Sequence, residues 1–278
     1  MATRYAISID LDRCIGCQAC AVACQTGNEL PTGSSFITVS DVVHARGKSL
    51  WGSFAHHRCF HCEDAACVTA CPTGALAKWN GLTVIAPEKC SACGYCTDVC
   101  PFDVPHLRDN NVSKCTACLG GRGRIVPVPD AQVGLRIQNG QEPWCVQTCP
   151  SQALRFGERD RLLADAKLRV ASLRTRYPGA QVYGESLLGG LGLLVTLLDR
   201  PDAYGLPTKP VTPTALTVWQ DVVQPAGTVL SGLAAATMGL MFIVARRQHA
   251  RERAELHAAA VTPAPPSPAP PVTGKDHE

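Results

Sequence analysis

The cysteines of this chain constrain its fold more than any other feature. All sixteen lie between Cys14 and Cys149, in four groups of four. The third group, residues 90–101, reads C-S-A-C-G-Y-C-T-D-V-C-P. A loop with this spacing wraps three thiolates around a cubane iron–sulfur cluster, and the fourth cysteine binds a second cluster. The sequence therefore predicts several cluster-binding loops that depend on one another.

The other three groups are variants of the same repeat. The first group has Gln25 where the others have proline, the second has two extra residues in its loop, and the fourth is split by residues 119–144. That insertion contains G-G-R-G-R and V-P-V-P-D, which is typical of a surface loop. If each fourth cysteine crosses to a partner group, the second and third groups pair, and the first and fourth pair around them.

This crossing predicts four ligand sets that together use every cysteine once. Set A is Cys14, Cys17, Cys20 and Cys149, and set B is Cys24, Cys115, Cys118 and Cys145. Set C is Cys59, Cys62, Cys67 and Cys100, and set D is Cys71, Cys90, Cys93 and Cys96. Each set is expected to bind one 4Fe–4S cluster.

Two other uses of cysteine fit this pattern less well. Disulfides are common in exported proteins, but four tight groups at cluster spacing argue against them. Structural zinc sites usually present separated C-x-x-C pairs rather than a third cysteine followed by C-P. The formal net charge of +3 gives no electrostatic reason to expect a nucleic-acid partner.

Hydrophobic patterns predict the elements that surround the cysteines. Residues 5–11 alternate as a strand, and further short strands are expected at 82–86 and 153–157. Residues 158–176 have helical periodicity, with one face formed by Leu162, Ala166, Val170 and Leu173. The apolar run at 187–198 is too short to span a bilayer and is interpreted as buried packing.

Residues 227–245 carry no charge and are long enough to cross the hydrocarbon layer as a helix. Arg246, Arg247, Arg251 and Arg253 follow, so the positive-inside rule predicts a cytoplasmic C-terminus and a cysteine domain on the periplasmic or outer side of the cell membrane. The N-terminal sequence M-A-T-R-Y-A-I-S-I-D has neither an apolar signal region nor twin arginines, so we expect no export signal in this chain.

The predicted fold class is α+β, with two nested two-cluster ferredoxin-like modules and one C-terminal transmembrane helix. The outer module is expected over residues 1–52 and 109–157, and the inner module over 53–108. A helix and linker region that reaches the membrane (158–226), the transmembrane helix (227–245) and a basic, then proline-rich tail (246–278) complete the chain.

Four clusters in one small domain indicate electron transfer rather than catalysis. No spare cysteine remains as a nucleophile, and the sequence shows no Ser–His–Asp or H-E-x-x-H pattern. Residues 227–245 contain no histidine, so this helix has no axial haem ligand to offer. His61, between Cys59 and Cys62, is expected to be a hydrogen-bonding neighbour of a cluster.

Three motifs carry a family resemblance. They are C-F-H-C-E-D-A-A-C-V-T-A-C-P (59–72), G-Q-E-P-W-C-V-Q-T-C-P (140–150) and A-L-R-F-G (153–157). With them, the chain resembles the four-cluster iron–sulfur subunits of molybdopterin oxidoreductases. It is most similar to the β subunit of membrane-bound respiratory formate dehydrogenase, a resemblance supported by G-L-P at 205–207 and the single C-terminal span.

The resemblance implies a complex of three subunits. A catalytic α subunit with molybdenum or tungsten bound to molybdopterin oxidises formate, this chain relays the electrons, and a cytochrome b γ subunit reduces quinone. The outer module would face the catalytic subunit, and the inner module would face the haem. Nitrate reductases have tryptophan at the position of Cys93, so the cysteine here implies four 4Fe–4S clusters.

Other functions remain open from the sequence. The same relay could serve a hydrogenase, or a molybdopterin oxidoreductase that acts on a sulfur compound or dimethyl sulfoxide. A more distant alternative is a membrane-anchored structural protein that binds zinc.

Overall fold

A four-stranded sheet supports the N-terminal part of the chain. In this computed structural model, which describes residues 3–46, 49–108, 110–119, 136–137, 140–213, 218 and 222–261, the strand order is β8-β1-β10-β9. The strands are β1 (Tyr5–Asp10), β8 (Leu154–Glu158), β9 (Gln181–Tyr183) and β10 (Leu193–Leu197). β1 pairs in parallel with β10 and antiparallel with β8, and β9 pairs antiparallel with β10.

Helix α5 (Arg159–Leu173) covers this sheet with the face that the sequence predicts. Leu162, Ala166, Val170 and Leu173 are all buried, and the helix contacts all four strands. Arg159, at its first position, is also buried and donates to the backbone carbonyls of Leu191, Gly184 and Glu185. The predicted strand at 153–157 and the predicted helix are therefore confirmed.

The apolar run at 187–198 supplies β10, a strand that the sequence analysis did not identify. Every residue of β10 is buried. A parallel strand covered on both faces shows a continuous apolar run rather than alternation, so it lacks the strand signal that β1 displays. Burial is confirmed for residues 190–198, whereas Leu187 and Leu188 are half-buried and Gly189 is exposed. The region predicted as helix and linker contributes strands β9 and β10 to the sheet and helix α5, which covers it.

Three antiparallel hairpins lie between the cysteine groups, and four short helices each contain at least one of the cysteines. The hairpins are β2–β3 (Thr38–Arg46, Ser49–His57), β4–β5 (Leu76–Trp79, Leu82–Ile85) and β6–β7 (His106–Arg108, Asn111–Ser113). The helices are α1 (Ala19–Gly27), α2 (Ala66–Thr69), α3 (Tyr95–Asp98) and α4 (Trp144–Gln147). α1 contacts α4 and α2 contacts α3, as expected if the groups pair crosswise.

The chain divides into two compact units, Met1–Thr217 and Val218–Glu278. The second unit contains α6 (Gln224–Val261), which includes the predicted span at 227–245. Residues 224–257 of α6 are long and apolar enough to cross a membrane, with a mean hydropathy of 2.0 over the best window. Most of the 119–144 insertion, including both of its glycine- and proline-rich motifs, and the proline-rich tail lie outside the described residues.

Candidate metal centres

The structure brings the cysteines of sets A, C and D together around three separate cavities. Set A lines the first cavity, set C the second and set D the third. Each cavity is lined by three cysteines of one loop and by the fourth cysteine of another group, as the crossing predicts.

The cysteines of set B are connected through two buried polar side chains. Arg58 donates through Nη1 to Cys145 Sγ at 3.4 Å and through Nη2 to Cys115 Sγ at 3.3 Å. Asn28 Nδ2 lies 3.6 Å from Cys24 Sγ and 4.0 Å from Cys118 Sγ. All four cysteines of set B are buried, so this site is the most enclosed of the four.

The first loop of each group has the same backbone conformation. The residue two positions after the first cysteine has a positive φ in every group: Gly16 (67°), His61 (49°), Ala92 (54°) and Ala117 (56°). In two of these loops its amide donates to the first cysteine's sulfur, from His61 N to Cys59 Sγ and from Ala117 N to Cys115 Sγ, both at 3.4 Å. A left-handed conformation costs a non-glycine residue about 1–2 kcal/mol. This conformation directs the backbone amides at the sulfurs, which offsets its cost.

Burial and crowding make these thiols poor anions by themselves. Burial, then Cys145, raises the pKa of the Cys118 thiol to about 12, and burial is also the largest cause that raises the pKa of Cys24 to about 11. Thiolates at such positions need positive charge beside them, and bound iron would provide that charge once the thiols had lost their protons. In the described ranges, no three His, Cys, Asp or Glu side chains are placed to hold one metal ion. The four-cysteine cavities instead fit a polynuclear cluster.

The four sets follow one another through the first unit. After burial, Cys145 of set B is the largest cause that raises the pKa of Cys20 in set A to about 11. Lys114 contacts both the carbonyl of Cys115 in set B and the sulfur of Cys59 in set C. Cys67 of set C lies on α2, which contacts α3, the helix that contains Cys96 of set D. The order is A, B, C and D, with exposed cysteines at the two ends, Cys17 and Cys93.

Comparison with known families matches this region to iron–sulfur proteins. Two models described as a 4Fe-4S dicluster domain match residues 13–75 and 51–127. The nitrate-inducible formate dehydrogenase iron–sulfur subunit of Escherichia coli is 35% identical over 84% of this chain and 82% of that protein. This chain belongs to the family of formate dehydrogenase iron–sulfur subunits.

Two further relatives show how much of the chain shares this similarity. The formate dehydrogenase iron–sulfur subunit of Haemophilus influenzae is 34% identical over 82% of this chain and 77% of its own length. The thiosulfate reductase electron transfer subunit of Salmonella typhi is 36% identical, over 58% of this chain and 79% of its own length. As a formate dehydrogenase iron–sulfur subunit, the chain is a non-catalytic electron-transfer protein with four 4Fe–4S clusters.

This iron–sulfur subunit contains one set of residues with the types of a catalytic triad, contrary to the sequence prediction. His44 Nε2 lies 2.7 Å from Ser53 Oγ, and His44 Nδ1 lies 3.4 Å from Asp199 Oδ2. Ser53 and His44 are only 5% and 3% exposed, and His44 stacks on Trp51. A substrate cannot reach a serine enclosed in this way, so the set fixes the β2–β3 hairpin. No local pattern predicts this set, because Asp199 is far from His44 and Ser53 in the chain.

His61 is a hydrogen-bonding neighbour of the set C cysteines, as the sequence predicts, and the contact is made by its backbone. The His61 amide, which lies in a residue with φ 49°, donates to Cys59 Sγ at 3.4 Å. His61 Nδ1 instead accepts a hydrogen bond from Thr83 N at 3.0 Å, and the side chain is buried. The side chains that contact the sulfurs are Asn28, Arg58 and Lys114, and no local sequence pattern predicts these contacts.

Proposed function

We propose that this chain relays electrons from a molybdenum or tungsten formate dehydrogenase subunit to a membrane cytochrome b, which reduces quinone. The observation that carries the proposal is the series of four cysteine sets, which has an exposed cysteine at each end. A cluster in each set would accept and pass one electron at a time. The surrounding chain holds the clusters at fixed positions, encloses set B and directs hydrogen bonds at sulfur.

All sixteen cysteines serve as the iron ligands in this proposal, in sets A to D as given above. Sets A and B would form the outer module (1–52 and 109–157), and sets C and D the inner module (53–108). The contacts of α1 with α4 and of α2 with α3 support this nesting. Strand β3 and the β6–β7 hairpin run across the proposed boundaries at 52/53 and 108/109, so the modules share elements rather than being joined by linkers.

The proposed direction is the one that the resemblance to formate dehydrogenase iron–sulfur subunits implies for the two ends of the series. The outer module would face the catalytic subunit near Cys17, and the inner module would face the cytochrome near Cys93. The match to formate dehydrogenase subunits covers 84% of the chain, whereas the match to the thiosulfate reductase subunit covers 58%. The longer match favours formate over a sulfur compound, dimethyl sulfoxide or hydrogen as the substrate of the partner.

Purification of the tagged chain from membranes tests this function. We expect it to bring a molybdopterin subunit and a cytochrome b, identified by mass spectrometry. The preparation should contain at least about sixteen non-haem iron and sixteen acid-labile sulfide per chain. Formate should reduce the clusters, as followed by electron paramagnetic resonance. If the clusters did not respond to formate and were instead reduced by hydrogen, or oxidised by thiosulfate or dimethyl sulfoxide, the catalytic partner would not be a formate dehydrogenase. About four zinc and no sulfide would contradict the relay itself.

We propose a cell-membrane location with the first unit on the periplasmic or outer side and the C-terminus in the cytoplasm. Arg246, Arg247, Arg251 and Arg253 lie on α6 directly after the span, which supports this orientation. Protease added to intact spheroplasts should leave a tag fused after Glu278 undigested, and should digest it once the membrane is opened. Digestion of the tag in intact spheroplasts would reverse the orientation.

A further inference from the structure

A basic residue directly precedes the first cysteine of every group. These residues are Arg13, Arg58, Lys89 and Lys114. At the two ends of the series they face solvent, because Arg13 is 49% exposed and pairs with Asp10, and Lys89 is exposed. Arg58 and Lys114 are each only 1% exposed. The same position in the repeat therefore carries a solvated charge at the ends and a buried charge in the middle.

The two buried cations make reciprocal contacts. Arg58 precedes Cys59 of set C in the chain, but its guanidinium donates to two sulfurs of set B, Cys115 and Cys145. Lys114 precedes Cys115 of set B, but its Nζ lies 3.7 Å from the sulfur of Cys59 in set C. Each cation thus has its backbone in one loop and its charge at the neighbouring one.

The rest of the packing directs both charges at sulfur. Lys114 Nζ is held by the carbonyls of Thr83 at 2.8 Å and Cys115 at 3.0 Å, and the side chain lines the cavity of set C. Arg58 Nε is buried and has no hydrogen-bond partner among the described residues, so the sulfurs receive the guanidinium's described hydrogen bonds. Arg159, the other buried cation of the described part, is instead bonded to three backbone carbonyls.

We propose that Arg58 and Lys114 are positioning residues for the relay, and that each raises the reduction potential of the cluster whose sulfur it contacts. Arg58 acts on set B and Lys114 acts on set C. The inference deepens the proposed function and rests on its ligand sets.

The physical reason is electrostatic. When one electron arrives from the neighbouring cluster, which is thereby oxidised, the site gains one negative charge and no proton. A cation in a low-dielectric interior stabilises that charge far more than a solvated cation does. The two middle sites of the series thus remain reducible although they are the least accessible to water. A relay that lacked these charges would have an energy barrier where electrons cross from one module to the other.

Redox titration of the purified complex, followed by electron paramagnetic resonance, tests this. In Arg58→Gln and Lys114→Met, we expect the ratio of oxidised to reduced cluster at the wild-type midpoint to rise at least tenfold, equivalent to 59 mV for one electron. Each variant should shift one cluster, and the two clusters should differ. Arg58→Lys and Lys114→Arg, which keep the charge, should recover most of the shift.

The exposed members of the repeat are matched controls. Arg13→Gln and Lys89→Met remove a charge at the same repeat position, and solvent screening should keep their effect below twofold. Unmoved potentials in the two buried variants, with the iron content complete, would overturn the inference, and so would equal shifts in the controls. Cysteine variants test the ligand sets separately. If they show that the sets are wrong, the proposed function fails, and this result is distinct from unmoved potentials at correctly assigned clusters.

If the variants without the charge lose iron, a measurement on the wild type still tests the contact of Arg58 with the cluster. With ¹⁵N-arginine in the complex, pulsed electron paramagnetic resonance of the reduced clusters should detect a weakly coupled nitrogen that is absent from Arg58→Lys. A spectrum without this coupling would overturn the contact that carries the proposal.

Discussion

Replacement of Cys149 by serine is expected to remove the cluster of set A, although Cys149 lies only four residues after Cys145 of set B. Cys149 lines the same cavity as Cys14, Cys17 and Cys20. Loss of even a hydrogen-bonding partner of a metal ligand lowers metal affinity about 10–100-fold, and loss of the ligand itself should cost at least as much. Set A is one end of the series, so electron transfer from the catalytic subunit should fall in proportion to the occupancy of this site.

The measurement is the spectrum of each cluster in the purified complex. Cys145→Ser is the matched control, because this cysteine lies four residues earlier, on α4, but contacts Arg58 in set B. We expect the two variants to lose different signals. If Cys149→Ser and Cys145→Ser lost the same cluster, the crosswise assignment would be wrong and each group would bind its own cluster.

A single arginine in the middle of α6 is expected to release the chain from the membrane. Met238 lies near the centre of residues 227–245 and is 65% exposed in the described part of its unit. An arginine at the centre of a spanning helix costs about 2.5–3.5 kcal/mol by insertion measurements. Because about 1.4 kcal/mol corresponds to a factor of ten in an equilibrium constant, Met238→Arg should reduce the ratio of inserted to uninserted chain roughly 100-fold.

Fractionation of cells into membrane and soluble pools, followed by blotting, measures this effect. Leu256→Arg is the matched control, because Leu256 is equally exposed on α6 but lies beyond the basic residues that follow the span. The control should remain in the membrane pool. If Met238→Arg also remained there at wild-type level, α6 would not be the segment that holds the chain in the bilayer.

The sequence predicts the cysteine chemistry because cluster ligation is encoded locally. The interval between thiolates must match the size of a cubane cluster, so the spacing in the four groups indicates the cofactor without any tertiary information. The face of α5 and the alternation in β1 are likewise local patterns of period 3.6 and 2. The span in α6 depends only on the length and composition of residues 227–245.

Other features depend on contacts between distant parts of the chain. The parallel pairing of β1 with β10 joins Ile7 to Leu193, and the Ser53–His44–Asp199 set joins a hairpin to a loop after β10. Neither has a local pattern, because each depends on residues that are remote in sequence. Most of the 119–144 insertion lies outside the described residues, so its assignment as a surface loop stays a prediction.

The basic residues before the cysteines show most directly what the sequence determines and what the tertiary structure determines. By itself, the sequence determined that each loop has a cation beside its first ligand, the same pattern four times. Only the tertiary structure decided that Arg13 and Lys89 are solvated while Arg58 and Lys114 are buried against sulfurs of the neighbouring set. The physical reason is that the strength of a charge depends on the dielectric around it, which packing fixes and the identity of the residue does not.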